Sequence, residues 1–175
     1  GSGNYHMGYT GFDFIRGKES DAWYTDPVHF DCPPAERLRK NERHWRNVHF
    51  TRHREEDWHC HRVFSRAADW LRRNHEHENL FLHIDEFDPH EPLDPPEELL
   101  KRFDPQGYSR FPAENWPYAP WRENMSVEAF QHARARYAAN VVLVDRALRR
   151  LLDAMDECDL WDDTVVVLTT DHGTW

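Results

Sequence analysis

A chain of 175 residues suits one domain of ordinary size or part of a larger one. Leu, Ile, Val and Phe supply 35 residues, or 20%, and mean hydropathy is −0.94, yet 14% of the chain is aromatic, including eight Trp, which argues against disorder. The net charge of −10 excludes a general nucleic-acid binder, because neutralising phosphate takes clustered Lys and Arg. The stretch 36–73 is locally basic, with 11 Lys/Arg against 6 Asp/Glu, and reads as a solvated helix face. No run of 18 apolar residues is present, so no membrane span is expected. Cys32, Cys60 and Cys158 are odd in number and far apart, which excludes a disulfide framework. Compartment and oligomeric state stay open.

In chain order, residues 1–60 show no sustained periodicity and read as an irregular segment with short turns, punctuated by Gly and Pro. Residues 61–175 read as a helix–strand–loop–helix–strand unit. Its first helix spans about 57–74, with Val63, Ala67, Trp70 and Leu71 recurring at helical spacing. Leu80-Phe81-Leu82-His83-Ile84 reads as a short buried strand. Eight prolines then punctuate residues 85–125, which leaves room only for a short helix near Glu97–Arg102; so long a loop is usually functional. Ser126 caps a long helix with Phe130, Ala133, Tyr137, Val141, Val144, Leu148, Leu151 and Met155 on one face. Arg134, Arg136, Arg146, Arg149 and Arg150 lie on the other. Thr164–Thr170 is continuous and β-branched, as a strand covered on both faces would be. This order predicts α/β layering, with a parallel strand pair joined by a helical crossover. Ligands in such sheets collect beyond the carboxyl ends of strands, where residues 85–90 and 171–172 both fall.

Two motifs at those ends could carry chemistry. Asp171-His172-Gly173 puts a carboxylate and an imidazole together at a strand end, with Gly allowing a sharp turn. It reads either as half of a divalent metal site or as an ordinary polar strand end. In Phe87-Asp88-Pro89-His90-Glu91-Pro92, two prolines hold His90 in a stiff, extended segment. That arrangement could aim the imidazole at an anion or a leaving oxygen, or leave a surface histidine in a Pro-rich loop. His59-Cys60-His61 and the pair His75 and His77 lack a second Cys pair at zinc-finger spacing, so no zinc site is read there. Cys32 has no flanking base to activate it as a nucleophile. No Gly-rich phosphate loop, H-E-x-x-H or G-x-S-x-G is present.

Three blocks together resemble the sulfatases of the alkaline phosphatase superfamily. They are Gly11-Phe12-Asp13-Phe14-Ile15-Arg16-Gly17-Lys18-Glu19-Ser20-Asp21, the run from Asn79 to Pro96 around His90, and the span from Tyr137 through Thr164-Val165-Val166-Val167-Leu168 to Asp171-His172-Gly173. The resemblance implies part of a mixed, mostly parallel sheet flanked by helices, an incomplete alkaline phosphatase-like catalytic domain across residues 1–175. It implies a sulfuric ester hydrolase with a formylglycine nucleophile. It also implies a divalent metal, calcium with manganese as the alternative, and a small-molecule or carbohydrate sulfate ester as substrate. Asp171 and His172 match the family's later pair of metal ligands. His90 matches a histidine that contacts the sulfate ester and assists the leaving group.

The departures are equally specific. No C-x-P-x-R nucleophile motif is present: after Cys32-Pro33-Pro34 the fifth residue is Glu36, and the family's nucleophile precedes the first block. The N-terminal Asp pair and the Lys after Asp-His-Gly are also missing. The expectation is an internal segment of a sulfatase, with its formylglycine outside these residues and no turnover of its own. His172 in place of Asn also resembles relatives that hydrolyse phosphonate monoesters or phosphodiesters. The reading from another class is a truncated, non-catalytic chain. Without their sheet neighbours, the strands at 80–84 and 164–170 are expected to leave exposed edges.

Overall fold

The computed structural model describes residues 5–18, 21–23, 47–48, 50–107 and 120–173. Regular structure among them is helical. Short 3-10 turns lie at Tyr5–Gly8 and Glu55–Asp57, and four α-helices follow: α1 His59–Asn74, α2 Glu97–Phe103, α3 Trp121–Asn124 and α4 Val127–Glu157. Residues 47, 48, 50 and 51 are also helical, inside the segment expected to be irregular. Val48 is buried there, and the Asn47 side chain donates to the Asp21 carbonyl. Cys32 lies outside the described residues.

α1 and α4 form the core pair, and α2 packs on α4. α1 buries Cys60, His61, Phe64, Ala67, Ala68 and Leu71, one stripe at spacings of three and four. Trp70, expected on that stripe, sits off it and is half exposed. The 31 residues of α4 give it a length of about 46 Å. Ser126 starts it as expected, its hydroxyl accepting the Ala129 amide at 3.2 Å.

The buried seam of α4 differs from the expected one. It runs through Ala139, Leu143, Ala147, Leu151 and Ala154, while Val141 is exposed and Val144 and Leu148 only flank the core. Of the expected face, Ala133, Leu151 and Met155 are buried, so it was right in part. Alanines of both helices, Ala67 and Ala68 of α1 with Ala139, Ala147 and Ala154 of α4, share that core. The arginine face is also not purely solvated. Arg136 donates to the Leu93 carbonyl, and Arg146 pairs with Glu55 at 2.8 Å.

The two expected strands do not form a ladder among the described residues. A strand exists only through a backbone partner about 4.8 Å away, and neither segment has one. Residues 164–173 are exposed throughout, with Val165 at 89% and Leu168 at 84%. Phe81 is exposed as well, although Ile84 reaches the core edge.

The first sequence block is docked on α1. The Ile15 carbonyl meets His59 Nε2 at 3.1 Å, Arg62 donates to the Arg16 carbonyl at 3.0 Å, and Arg66 pairs with Asp13. Gly17 is required in this turn. Its φ is +100°, and a Cβ there would stand 2.6 Å from the Trp23 ring. Arg16 clamps Asp21 through two bonds of 2.7 Å, and Asp21 also accepts the Gly17 amide.

Two outcomes follow from this core. Leu143→Ala, at a fully buried site, lowers unfolding free energy by about 2–5 kcal/mol in a urea melt. His61 is buried 3.4 Å from Glu55, and burial holds its imidazole below the ordinary range. The unfolded chain therefore takes up that proton more readily. Stability falls as pH drops below about 6.5 and levels off at the lower folded value. His61→Leu removes this sag, read as Tm against pH.

Candidate functional site

The site is built on the segment after residue 84. His90 does not lie in an extended stretch. Its amide donates to the Phe87 carbonyl at 3.0 Å and closes a tight turn, and its ring packs on Phe87 with centroids 4.4 Å apart. His90 Nδ1 lies 2.7 Å from the Glu91 carbonyl. A carbonyl only accepts, so Nδ1 carries the hydrogen and Nε2 of the neutral ring keeps its lone pair. Glu91 Oε2 stands 3.5 Å from the same Nδ1. The imidazole is thus held on one side and partly open on the other.

Two buried ion pairs bracket that turn. Lys18 Nζ meets Asp88 Oδ1 at 2.5 Å, and Arg52 meets Asp94. All four side chains are buried. Trp58 Nε1 adds a bond of 2.9 Å to the Asp94 carbonyl, and the Arg52 guanidinium lies 4.8 Å over the Trp58 ring. Burial works against the Lys18 charge, but Asp88 and Asp94 outweigh it and hold the ammonium above its ordinary range. Burial likewise opposes the Asp88 charge, and Lys18 holds that carboxyl below its ordinary range. Phe87 lies between these groups, 5.7 Å from Lys18 Nζ.

A third buried group adjoins the pair. His59 Nδ1 stands 3.2 Å from Glu86 Oε1, which also accepts the Asp88 amide at 3.0 Å. Burial, reinforced by the Asp88 charge, holds Glu86 above the usual carboxylate range despite His59. Cys60, next to His59 in sequence, is fully buried in the core, and burial and the two carboxylates push its thiol far up. His61 turns to Glu55, and His75 Nδ1 binds the Arg72 carbonyl. The His-Cys-His run therefore does not converge on one point.

Asp171 and His172 lie on the exposed segment, at 87% and 66% side-chain exposure. His172 Nδ1 donates to the Gly173 carbonyl at 2.9 Å, which leaves the Nε2 lone pair 3.7 Å from Asp171 Oδ2. The Gly173 carbonyl and the Asp171 carboxylate hold the imidazole above its ordinary range. Glu91 adds to that effect.

The structure places His90 in a tight turn and Asp171 and His172 on an exposed segment; the sequence reading did not foresee Lys18, Arg52 or Glu86 beside that turn, and it had set His59 aside as no zinc site. The readable signal was the pair of Asp-Pro steps, Asp88-Pro89 and Asp94-Pro95, flanking His90. Which cations would meet them was hidden in chain separations of 70 and 42 residues.

The sulfatase family profile matches residues 3–174. The chain belongs to the sulfatase family. An arylsulfatase of Clostridium perfringens (strain 13 / Type A) is 25% identical over 122 residues, covering 63% of this chain and 25% of that protein. The chain thus spans about a quarter of the length of the curated relative it matches. No solved structure matches it. Membership implies an alkaline phosphatase-like α/β fold, of which the described residues display helices. No described helix is long and apolar enough to cross a membrane.

The family is metal-dependent, and Asp171 and His172 fit as two donors of one ion. Their free lone pairs stand 3.7 Å apart, with Nδ1 already engaged elsewhere. Their exposure leaves the remaining positions for other donors.

The buried pairs set one measurable expectation. Lys18→Met strands the Asp88 charge and costs about 3–5 kcal/mol in a denaturant melt, while Lys18→Met combined with Asp88→Leu recovers most of the loss.

Proposed function

We propose that this chain is the His90-bearing part of a sulfuric ester hydrolase, acting on a small-molecule or carbohydrate sulfate ester. The observation that carries the reading is His90 itself, in a chain matched almost end to end by the sulfatase family. Its tautomer is fixed by the Glu91 carbonyl, and its turn is anchored by two buried ion pairs. Nε2 is the atom left to meet the ester. It holds a proton for the leaving oxygen when the ring is charged, and accepts a hydrogen bond when it is neutral.

Asp171 and His172 would hold the divalent ion, calcium or manganese. Such an ion, when bound, neutralises charge on the sulfate oxygens. One imidazole and one carboxylate leave the choice of metal to the remaining donors. The nucleophile, a formylglycine, belongs outside residues 1–175, since these contain no C-x-P-x-R. The segment at 164–170 and the one at 80–84 would join a sheet flanked by α1 and α4. Residues 61–175 then form the α-β-loop-α-β unit that carries the site.

The 175-residue chain alone turns over no aryl sulfate. In the parent protein, His90→Asn lowers kcat for p-nitrophenyl sulfate by about 10²- to 10⁴-fold without shifting Tm. An unchanged kcat overturns the assignment of His90. Faster turnover of a phosphonate monoester or phosphodiester than of the sulfate overturns the assigned ester class.

A further inference from the structure

His59, Glu86 and Asp88 present one donor atom each within 4.8 Å of one another. His59 Nε2 faces the Ile15 carbonyl at 3.1 Å and must carry the hydrogen, because a carbonyl only accepts. In the neutral ring Nδ1 is then a bare lone pair, 3.2 Å from Glu86 Oε1. Two acceptors at that distance need a positive species between them. A proton would serve this pair alone. It would leave Glu86 Oε2 and Asp88 Oδ2, both buried and without a hydrogen-bond partner. The Glu86 side chain is 7% exposed and that of Asp88 2%. Lys18 occupies Asp88 Oδ1 and leaves Oδ2 for something else.

We propose that His59, Glu86 and Asp88 form a buried divalent-cation site, separate from the Asp171–His172 pair. One imidazole nitrogen and two carboxylates suit an ion of the zinc or manganese class better than calcium, which prefers oxygen donors throughout. The local charge agrees. With Glu86 and Asp88 ionised, Lys18 offsets one negative charge and one remains. Three protein donors bring together the first docked block, α1 and the His90 turn. His59 starts α1 and touches Ile15, while Glu86 and Asp88 lead into His90. A bound ion would tie these elements at one point. The Ile15 carbonyl fixes the ring from behind, as outer-shell acceptors do for ligating histidines.

The test uses the 175-residue chain stripped with a chelator and titrated calorimetrically with zinc chloride and, separately, manganese chloride. The proposal expects one equivalent of zinc at micromolar affinity or tighter and a rise in Tm on loading. Glu86→Gln and His59→Gln each weaken binding by about tenfold or more. Asp171→Asn with His172→Gln leaves this binding unchanged, which separates the two sites. Glu86→Gln is nearly isosteric, and its apo Tm against the apo parent chain shows whether it folds. Manganese binding can also be read by paramagnetic resonance, where a nitrogen ligand lost in His59→Gln changes the spectrum. No binding by the folded chain overturns the proposal. So does binding that survives Glu86→Gln and His59→Gln, or that disappears in the Asp171/His172 variant.

Discussion

The organisation of this chain depends on two cations buried against two aspartates. Asp88 and Asp94 stand on either side of His90, and each is met by a residue from far upstream: Lys18 for the first, Arg52 for the second. A buried carboxylate without a partner is costly, and a buried ion pair earns little net stability. What such pairs supply is position. Asp88 meets Lys18 only if the first block is in place, and Asp94 meets Arg52 only if the residues just after the helical positions 47, 48, 50 and 51 are in place. The tautomer-fixed imidazole of His90 is then carried by that frame. Asp88 and Asp94 turn to Lys18 and Arg52, while the Nδ1 hydrogen is engaged by the Glu91 carbonyl with the Glu91 carboxylate 3.5 Å away.

This arrangement explains why the first block can be compact yet apolar only at its rim. Phe12 and Phe14 are exposed, so the block is not held by burying its aromatics. It is held through polar groups: the carbonyls of Ile15 and Arg16 meet α1, and Asp21 closes the turn through Arg16 and the Gly17 amide. Gly17 makes the turn sterically feasible beside Trp23. The composition, poor in Leu, Ile and Val, is consistent with a fold that relies on such ties beside one Ala-rich helical seam.

Helices were legible in the sequence where periodicity was strong. α1, α2 and α4 fall close to their expected spans, and Ser126 caps as read. The seam of α4 was read correctly at Ala133, Leu151 and Met155 and misread elsewhere, because size was taken as the mark of burial. Val141 is large and exposed, whereas Ala139 and Ala147 are small and fully buried. In a close helix pair the smallest side chains occupy the contact, and a pattern of bulky residues then reports the flank. The strand expected at 164–170 rested on composition alone, but a strand is a relation between two segments, and among the described residues this one has no partner. The candidate histidine was marked by the opposite kind of signal. His90 is flagged by its local Pro-rich surroundings, while the cations that position it are defined only by tertiary contact.

The two donor sets of the chain illustrate different ways of holding charge. Asp171 and His172 are solvated, and water stabilises them without any ion. An ion there must compete with that hydration and depends on further donors to complete its shell. His59, Glu86 and Asp88 have given up water on folding, so the unmatched oxygens of the two carboxylates retain their desolvation cost until something positive arrives. The same logic applies to the apolar segment that leads to Asp171. Val165, Val166, Val167 and Leu168 stand in water, and covering each would be worth about 1.5–3 kcal/mol. The segment that presents the exposed pair therefore has the larger unrealised burial, and the order of Asp171 and His172 is coupled to whatever covers it. The His90 turn needs no such cover to hold its place, because Lys18 and Arg52 anchor Asp88 and Asp94 from behind, even with the spare oxygens of Glu86 and Asp88 unmatched.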